Sequence, residues 1–149
     1  MKLKQLINQH ILNISDVELI STITKLPISR LERVNIFFIQ KLWMERIIKK
    51  VFNLKKNVLG IALNTNNILV FIHPLDIFVP ELLCHEFTHI EQVIRSKLNF
   101  IDFKLTYKDI YEDSLEAEAL AKEKLFKMRK NKLVSCVCTE NNQKGVKLQ

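Results

Sequence analysis

One stretch of the chain carries residue types and a spacing that could do chemistry. It is Leu82-Leu83-Cys84-His85-Glu86-Phe87-Thr88-His89-Ile90-Glu91-Gln92, which contains the arrangement H-E-x-x-H. On a helix, residues four apart share a face with Cβ atoms roughly 5–6 Å apart, so His85 and His89 could both reach one ion. That is the geometry of a two-histidine zinc clamp. Glu86 lies on the flank of the same face, where its carboxylate could meet an activated water without binding the metal, and it is the candidate general base. The plain alternative is a helix with two ordinary histidines and a surface glutamate. Against that alternative, Leu83, Phe87, Ile90 and Ile94 recur at helical spacing and give the segment a stripe for a core. Pro80 suits a first helical turn, and Glu81 beside it suits the positive end of the dipole, so a helix is expected from about Pro80 to Lys97.

Two histidines do not complete a catalytic zinc site, which takes three protein ligands and keeps a fourth position open. The chain has no histidine after His89; Gln92 and Arg95 stand where the metzincin motif has its glycine and its third histidine. A carboxylate from a later helix is what remains, and Glu112-Asp113-Ser114-Leu115-Glu116-Ala117-Glu118-Ala119 supplies candidates. On a regular helical wheel Glu118 falls between the apolar groups Ala117/Ala121/Leu125 and Leu115/Ala119/Phe126, whereas Glu116 lies nearer Glu123 and Lys127. Glu116 also stands three after Asp113, as a capping-box partner would. The residues themselves leave Glu116, Glu118 and Glu112 open.

Gly60 to Gln92, with Ala62-Leu63-Asn64-Thr65-Asn66-Asn67-Ile68 ahead of the H-E-x-x-H segment, resembles the small gluzincin domains of bacteria and phages. It is similar in particular to the zinc-metallopeptidase domain found with extracellular contractile injection systems and toxins. There a strand hairpin leads into L-L-x-H-E-L-T-H-V-x-Q, and a later helix carries E-x-E-A, which Leu115-Glu116-Ala117-Glu118-Ala119 matches. The resemblance runs from Gly60 to Ala119 and leaves the N-terminal third unmatched. It implies a single Zn2+ held by His85, His89 and Glu116, Glu86 as base, and peptide-bond hydrolysis. Ala119 fits the small residue expected three after the ligand. Leu120 departs from the pattern, because many gluzincins place there an acidic residue that bonds a zinc histidine; such support is then missing or comes from Glu112, Asp113 or Glu118.

The surrounding elements can be read from periodicity. Residues 1–13 have helical spacing, and Ser15-Asp16-Val17-Glu18 resembles a capping box for a second helix to about Lys25, closed by Pro27. From Ser29 to about Phe52, Leu31, Val34, Phe37, Phe38, Leu42, Trp43, Ile47 and Val51 read as one amphipathic helix or two with a bend; a membrane-surface helix is the sharper alternative. Val58–Leu63 and Ile68–His73 are short β-branched runs around an Asn-rich turn and predict a β-hairpin, along whose edge an extended substrate could add a strand. Lys108 to Lys130 reads as helix, with Asp109 or Asp113 as its cap. The fold class expected is α+β: a mostly helical, zincin-like minimal metallopeptidase with a short hairpin or small sheet before the H-E-x-x-H helix. One domain is expected over 1–133, with N-terminal helices in 1–52, a zincin-like core in 57–130, and a loosely ordered tail in 134–149.

Composition bounds the partners. The net charge of +7 owes much to Lys122, Lys124, Lys127, Arg129, Lys130 and Lys132, a run that is ordinarily a solvated helix face. No aromatic-rich nucleic-acid motif accompanies it, so nucleic acid is not the expected partner. Three cysteines are no disulfide framework; Cys84 suits a buried packing position, and Cys136-Val137-Cys138 is too sparse to hold zinc alone. Neither a signal peptide nor a membrane span is legible, which makes a cytoplasmic location the expectation. His10 and His73 read as structural. Tyr107 and Tyr111 read as packed tyrosines that could donate to an oxyanion. The function expected is a zinc-dependent peptidase acting on a peptide or protein substrate. A non-catalytic zinc-stabilised interaction module of a phage or toxin system is the alternative.

Overall fold

The computed structural model describes residues 1–47, 60–64, 68–72, 79–107 and 114–147. Helices dominate them. The N-terminal part holds α1 (Leu3–Asn8), α2 (Ile14–Thr24) and the single turn α3 (Ile28–Leu31), followed by strand β1 (Asn35–Ile39) and α4 (Lys41–Ile47). Strands β2 (Gly60–Asn64) and β3 (Ile68–Ile72) precede α5 (Val79–Ser96), α6 (Phe100–Thr106) and the long α7 (Glu116–Lys147).

Capping explains where α2 begins. Asn13 accepts from the Asp16 backbone N–H at 2.8 Å, and the Asp16 carboxylate accepts from the Asn13 N–H at 3.1 Å. The capping box is therefore Asn13/Asp16, two residues earlier than Ser15 and Glu18 suggested, and it closes both open N–H groups reciprocally. Lys25, left-handed at φ 61°, ends the helix ahead of Pro27. Leu3, Leu6, Val17, Ile20 and Ile23 join Leu83, Phe87, Ile90 and Phe126 in one hydrophobic cluster, so the N-terminal third forms the back wall of α5.

In place of the one helix, or two with a bend, expected from Ser29 to about Phe52, residues 28–47 hold α3, β1 and α4, and residues 48–52 lie outside the described residues. Val34 to Ile39 satisfies both periods on paper, but its β-branched and aromatic residues fit a pleated surface. Within β1, Ile36 is buried and Phe37 exposed, the alternation of a strand. What settles the choice is long-range: β1 lies parallel to β3, and the Ile36 N–H donates to the Met1 carbonyl at 2.7 Å. The hairpin itself is present, β2 pairing antiparallel with β3 through Ile61↔Val70 and an irregularity between Ala62 and Asn64. The strand order is β1-β3-β2, which puts β3 in the middle of the sheet.

At the other end, α7 continues through residues 134–147, the stretch whose composition suggested a loose tail. Neither Gly nor Pro occurs between Leu115 and Lys144, so nothing in the sequence stops the helix earlier. The basic run on α7 is only partly free for solvent: Lys122 pairs with Glu118 at 3.2 Å and Lys130 with the buried Asp16 at 3.1 Å. The second of these ties α7 to the first turn of α2. Among the described residues no helix is long and apolar enough to cross a membrane. Residues 73–78 between β3 and α5, and Asp109, Tyr111, Glu112 and Asp113, lie outside the described residues, as do the side chains of Cys136 and Cys138.

Phe126 is fully buried and fastens α7 to the shared core. Its replacement by Ala should destabilise the fold by about 3–5 kcal/mol, read as a lower denaturant midpoint at unchanged slope. A cost below about 1 kcal/mol would show that this face does not hold the helix.

Candidate metal centre

The centre is built where α5 and α7 cross. On α5, Pro80 and Glu81 occupy the first turn, as expected, and nearly every side chain from Val79 to Val93 is buried. The apolar ones face the N-terminal core, and His85, His89 and Gln92 face α7. One part of the expected stripe differs: Ile94 is exposed, and Val93 packs instead with Phe103 and Leu115 in a satellite cluster. The end of α5 has turned from the main core to α6 and the start of α7.

On α7 the face that meets α5 is Glu116, Ala119, Glu123 and Phe126, at steps of three and four. Ala119 and Phe126 are fully buried, while the competing stripe of Ala117, Ala121 and Leu125 is solvent-facing. Ala119 is the small residue at the crossing, with Glu116 one turn before it and Glu123 one turn after. Ser114 and Leu115 form a π-type turn just ahead of Glu116.

The result is a convergence of three donors. His85 Nε2 lies 2.9 Å from Glu116 Oε1, His89 Nε2 lies 3.1 Å from Glu116 Oε2, and the two Nε2 atoms are 3.2 Å apart. A tetrahedral ion with Zn–N bonds of about 2.0–2.1 Å would hold its nitrogens about 3.3 Å apart, so this spacing suits a shared ion. The three side chains form a group able to hold a metal ion. Both imidazoles are buried and the Glu116 side chain is 35% exposed, so the group is reached from the carboxylate side.

The other ring nitrogens decide the protonation pattern. His85 Nδ1 lies 2.9 Å from Glu123 Oε2, an acceptor-only carboxylate, and must donate to it. His89 Nδ1 lies 2.9 Å from Gln92 Oε1. The Gln92 amide is oriented by its own donations, to the Leu115 carbonyl at 2.9 Å and to Glu118 Oε2 at 3.2 Å, so its oxygen faces His89 and accepts. With both Nδ1 protons committed outward, both Nε2 lone pairs point into one space beside a carboxylate. Such a space suits a cation, either a proton on each ring or one divalent ion.

Protons are favoured in that role. Burial works against a charge on His85, but hydrogen bonds to Glu116 and Glu123 outweigh it and hold the imidazole up to about 10. His89 is likewise raised: burial opposes the charge, and Glu116 and the nearby Glu86 carboxylate overcome it. Glu116 is held far below the usual carboxylate range; burial would raise it, and the two imidazoles lower it. Glu86 is buried beside the histidines, close enough for its charge to act on both.

The remaining candidates separate clearly. Glu118 does not join the cluster: Arg95 at 3.0 Å, Lys122 at 3.2 Å and Gln92 hold it on the flank. The support missing at Leu120 comes from Glu123 for His85 and from Gln92 for His89, neither of which the sequence reading selected. Glu123 lies two full turns after Glu116 and so on the same face, a signal that a search one turn away passes over. Tyr107 packs against Phe103, with ring centroids 4.8 Å apart, in the satellite cluster. Burial pushes the Cys84 thiol up to about 12, and its Sγ donates to the Lys122 carbonyl as a packing contact.

These protonation states make metal-free stability depend on pH in two directions. The contribution of His85 is complete below its ordinary value of 6.5 and is lost as pH rises through about 10. That of Glu116 is complete above its ordinary 4.5 and is lost as pH falls. The melting temperature of the metal-free chain should therefore be highest near about pH 5–6 and decline toward pH 10, with a divalent metal reversing the alkaline loss. A metal-free melting temperature that climbs between about pH 7 and 10 would contradict this assignment. Comparison of the chain with protein-family models, with curated proteins and with solved structures gives no match.

Proposed function

We propose that this chain is a small zinc-dependent metallopeptidase of the gluzincin type, with His85, His89 and Glu116 as ligands and Glu86 as general base. The observation that carries the reading is the convergence of two Nε2 lone pairs and one carboxylate at about 3 Å from one another, with both Nδ1 protons engaged elsewhere. Two imidazoles and a carboxylate are a donor set that zinc accepts readily. The hairpin ahead of α5 and the ligand-bearing helix after it support a zincin-like α+β arrangement.

Zinc bound at these three residues would supply Lewis acidity, bringing a coordinated water's pKa toward about 7 and polarising a substrate carbonyl. The protein's own groups do the rest. Glu86 takes a proton from the attacking water and returns it to the departing amine nitrogen, which completes the hydrolysis of an amide bond. Glu123 and Gln92 hold the imidazoles as Nδ1–H tautomers, so that their Nε2 atoms remain donors to the ion. With neutral imidazoles, the carboxylates Glu86, Glu116 and Glu123 also give the centre a negative field that favours a dication. A peptide or protein is the proposed substrate.

Metal content and turnover test the reading separately. Elemental analysis of the purified chain should find one zinc per molecule, strongly reduced in Glu116→Ala and clearly less reduced in Glu118→Ala. Equal loss in both variants would remove Glu116 from its special place. Glu86→Gln should keep the zinc and lower peptide hydrolysis by at least about 10²-fold. If instead the chain binds zinc and Glu86→Gln changes no measurable activity, the centre is a structural one in an interaction module.

A further inference from the structure

Gln92 touches both halves of the centre. Its side chain is almost wholly buried, at 2% exposure, and every polar atom of its amide is engaged. The oxygen receives the Nδ1 proton of His89 on its own helix. The nitrogen donates across to the carbonyl of Leu115, the residue just before Glu116, which opens α7.

We propose that Gln92 is a positioning residue that registers the two helices of the centre, fixing the orientation of His89 and the placement of Glu116 with one amide. The proposal rests on the metal-centre reading above and deepens it. A slip of α7 by one residue would move Glu116 by about 1.5 Å along the helix and about 100° around it, out of reach of both Nε2 atoms. A hydrogen bond at the adjacent carbonyl resists that slip. The amide cannot reverse, because its oxygen would then face the Leu115 carbonyl and the Glu118 carboxylate, three acceptors together. Glu118, braced by Arg95 and Lys122, thereby acts at a distance from the ion, holding the amide in the orientation that His89 needs.

This chemistry requires glutamine. A glutamate could accept from His89 but could not donate to Leu115, and its charge would oppose that of Glu118. An asparagine is one methylene short. Gln92→Glu is thus expected to spare the orientation of His89 and to displace Glu116, whereas Gln92→Met, of similar length, removes both hydrogen bonds.

The test uses the full chain with Zn2+ for affinity and Co2+ as a spectroscopic probe of coordination. Wild type should bind one ion; Gln92→Met and Gln92→Glu should each lower zinc affinity ~10–100-fold. The Co2+ absorption spectrum of Gln92→Glu should change toward that of Glu116→Ala, because the same ligand is lost. Arg95→Ala, which removes only an outer brace of Glu118, should stay within about threefold of wild type. Zinc affinities of both Gln92 variants within about twofold of wild type would overturn the proposal. So would a Gln92→Glu protein with weakened binding but a wild-type Co2+ spectrum, since the residue would then be merely a buried polar group. A wild-type chain that takes up neither ion overturns the metal-centre reading and this inference together, which distinguishes the two failures.

Discussion

Everything in this structure turns on where two imidazole protons go. Each histidine gives its Nδ1 proton to a fixed acceptor, Glu123 for His85 and Gln92 for His89, and each therefore presents Nε2 to the same small volume. The Nε2 atoms stand 3.2 Å apart with Glu116 against both. In a site this buried, such a gathering of lone pairs and negative charge is unfavourable unless a cation resides among them. The requirement is set by the hydrogen-bond directions as much as by the identities of the three donors.

The rest of the fold keeps those directions fixed. Helix α5 is enclosed on one side by the N-terminal helices, through Val17, Ile20 and Ile23, and on the other by α7. A buried helix of this kind must place its polar side chains where another element can satisfy them, and α7 provides Glu116, Glu123 and the Leu115 carbonyl. Ala119 permits the approach, Phe126 anchors the packing, and the Lys130–Asp16 pair ties the same helix face to the cap of α2. The part of the chain that carries no candidate ligand is thus a structural precondition for the part that does.

Two glutamates two residues apart acquire opposite roles from this packing. Glu116 faces the histidines and is stripped of its proton by them, whereas Glu118 faces Arg95 and Lys122 and serves the Gln92 amide. On a helix, two positions apart means about 200° of rotation, so the pair cannot meet the same groups: Glu116 reaches the histidines, and Glu118 reaches Gln92 and Arg95 at the flank of α5. A similar division applies to the basic run of α7, where Lys122 and Lys130 are drawn into internal pairs while Lys124, Lys127 and Arg129 remain in solvent.

The sequence by itself determined the local features that need few partners. These were the H-E-x-x-H helix with its proline in the first turn, the β2–β3 strand pair, and a later acidic helix as the source of a carboxylate for the two histidines. Each follows from short-range periodicity or from the usual ligand count of zinc centres in general. The tertiary structure decided what depends on distant contacts. Asn35–Ile39 became a strand because β3 offered a partner and Met1 a carbonyl; a window of sequence contains neither. Glu116 was separated from Glu118, and Glu123 and Gln92 were recruited, because the close approach at the buried Ala119 sets which face of α7 meets α5. A helical wheel drawn from apolar residues misses that face, since its stripe alternates acid, small and aromatic side chains, and only a neighbouring helix gives them a common purpose.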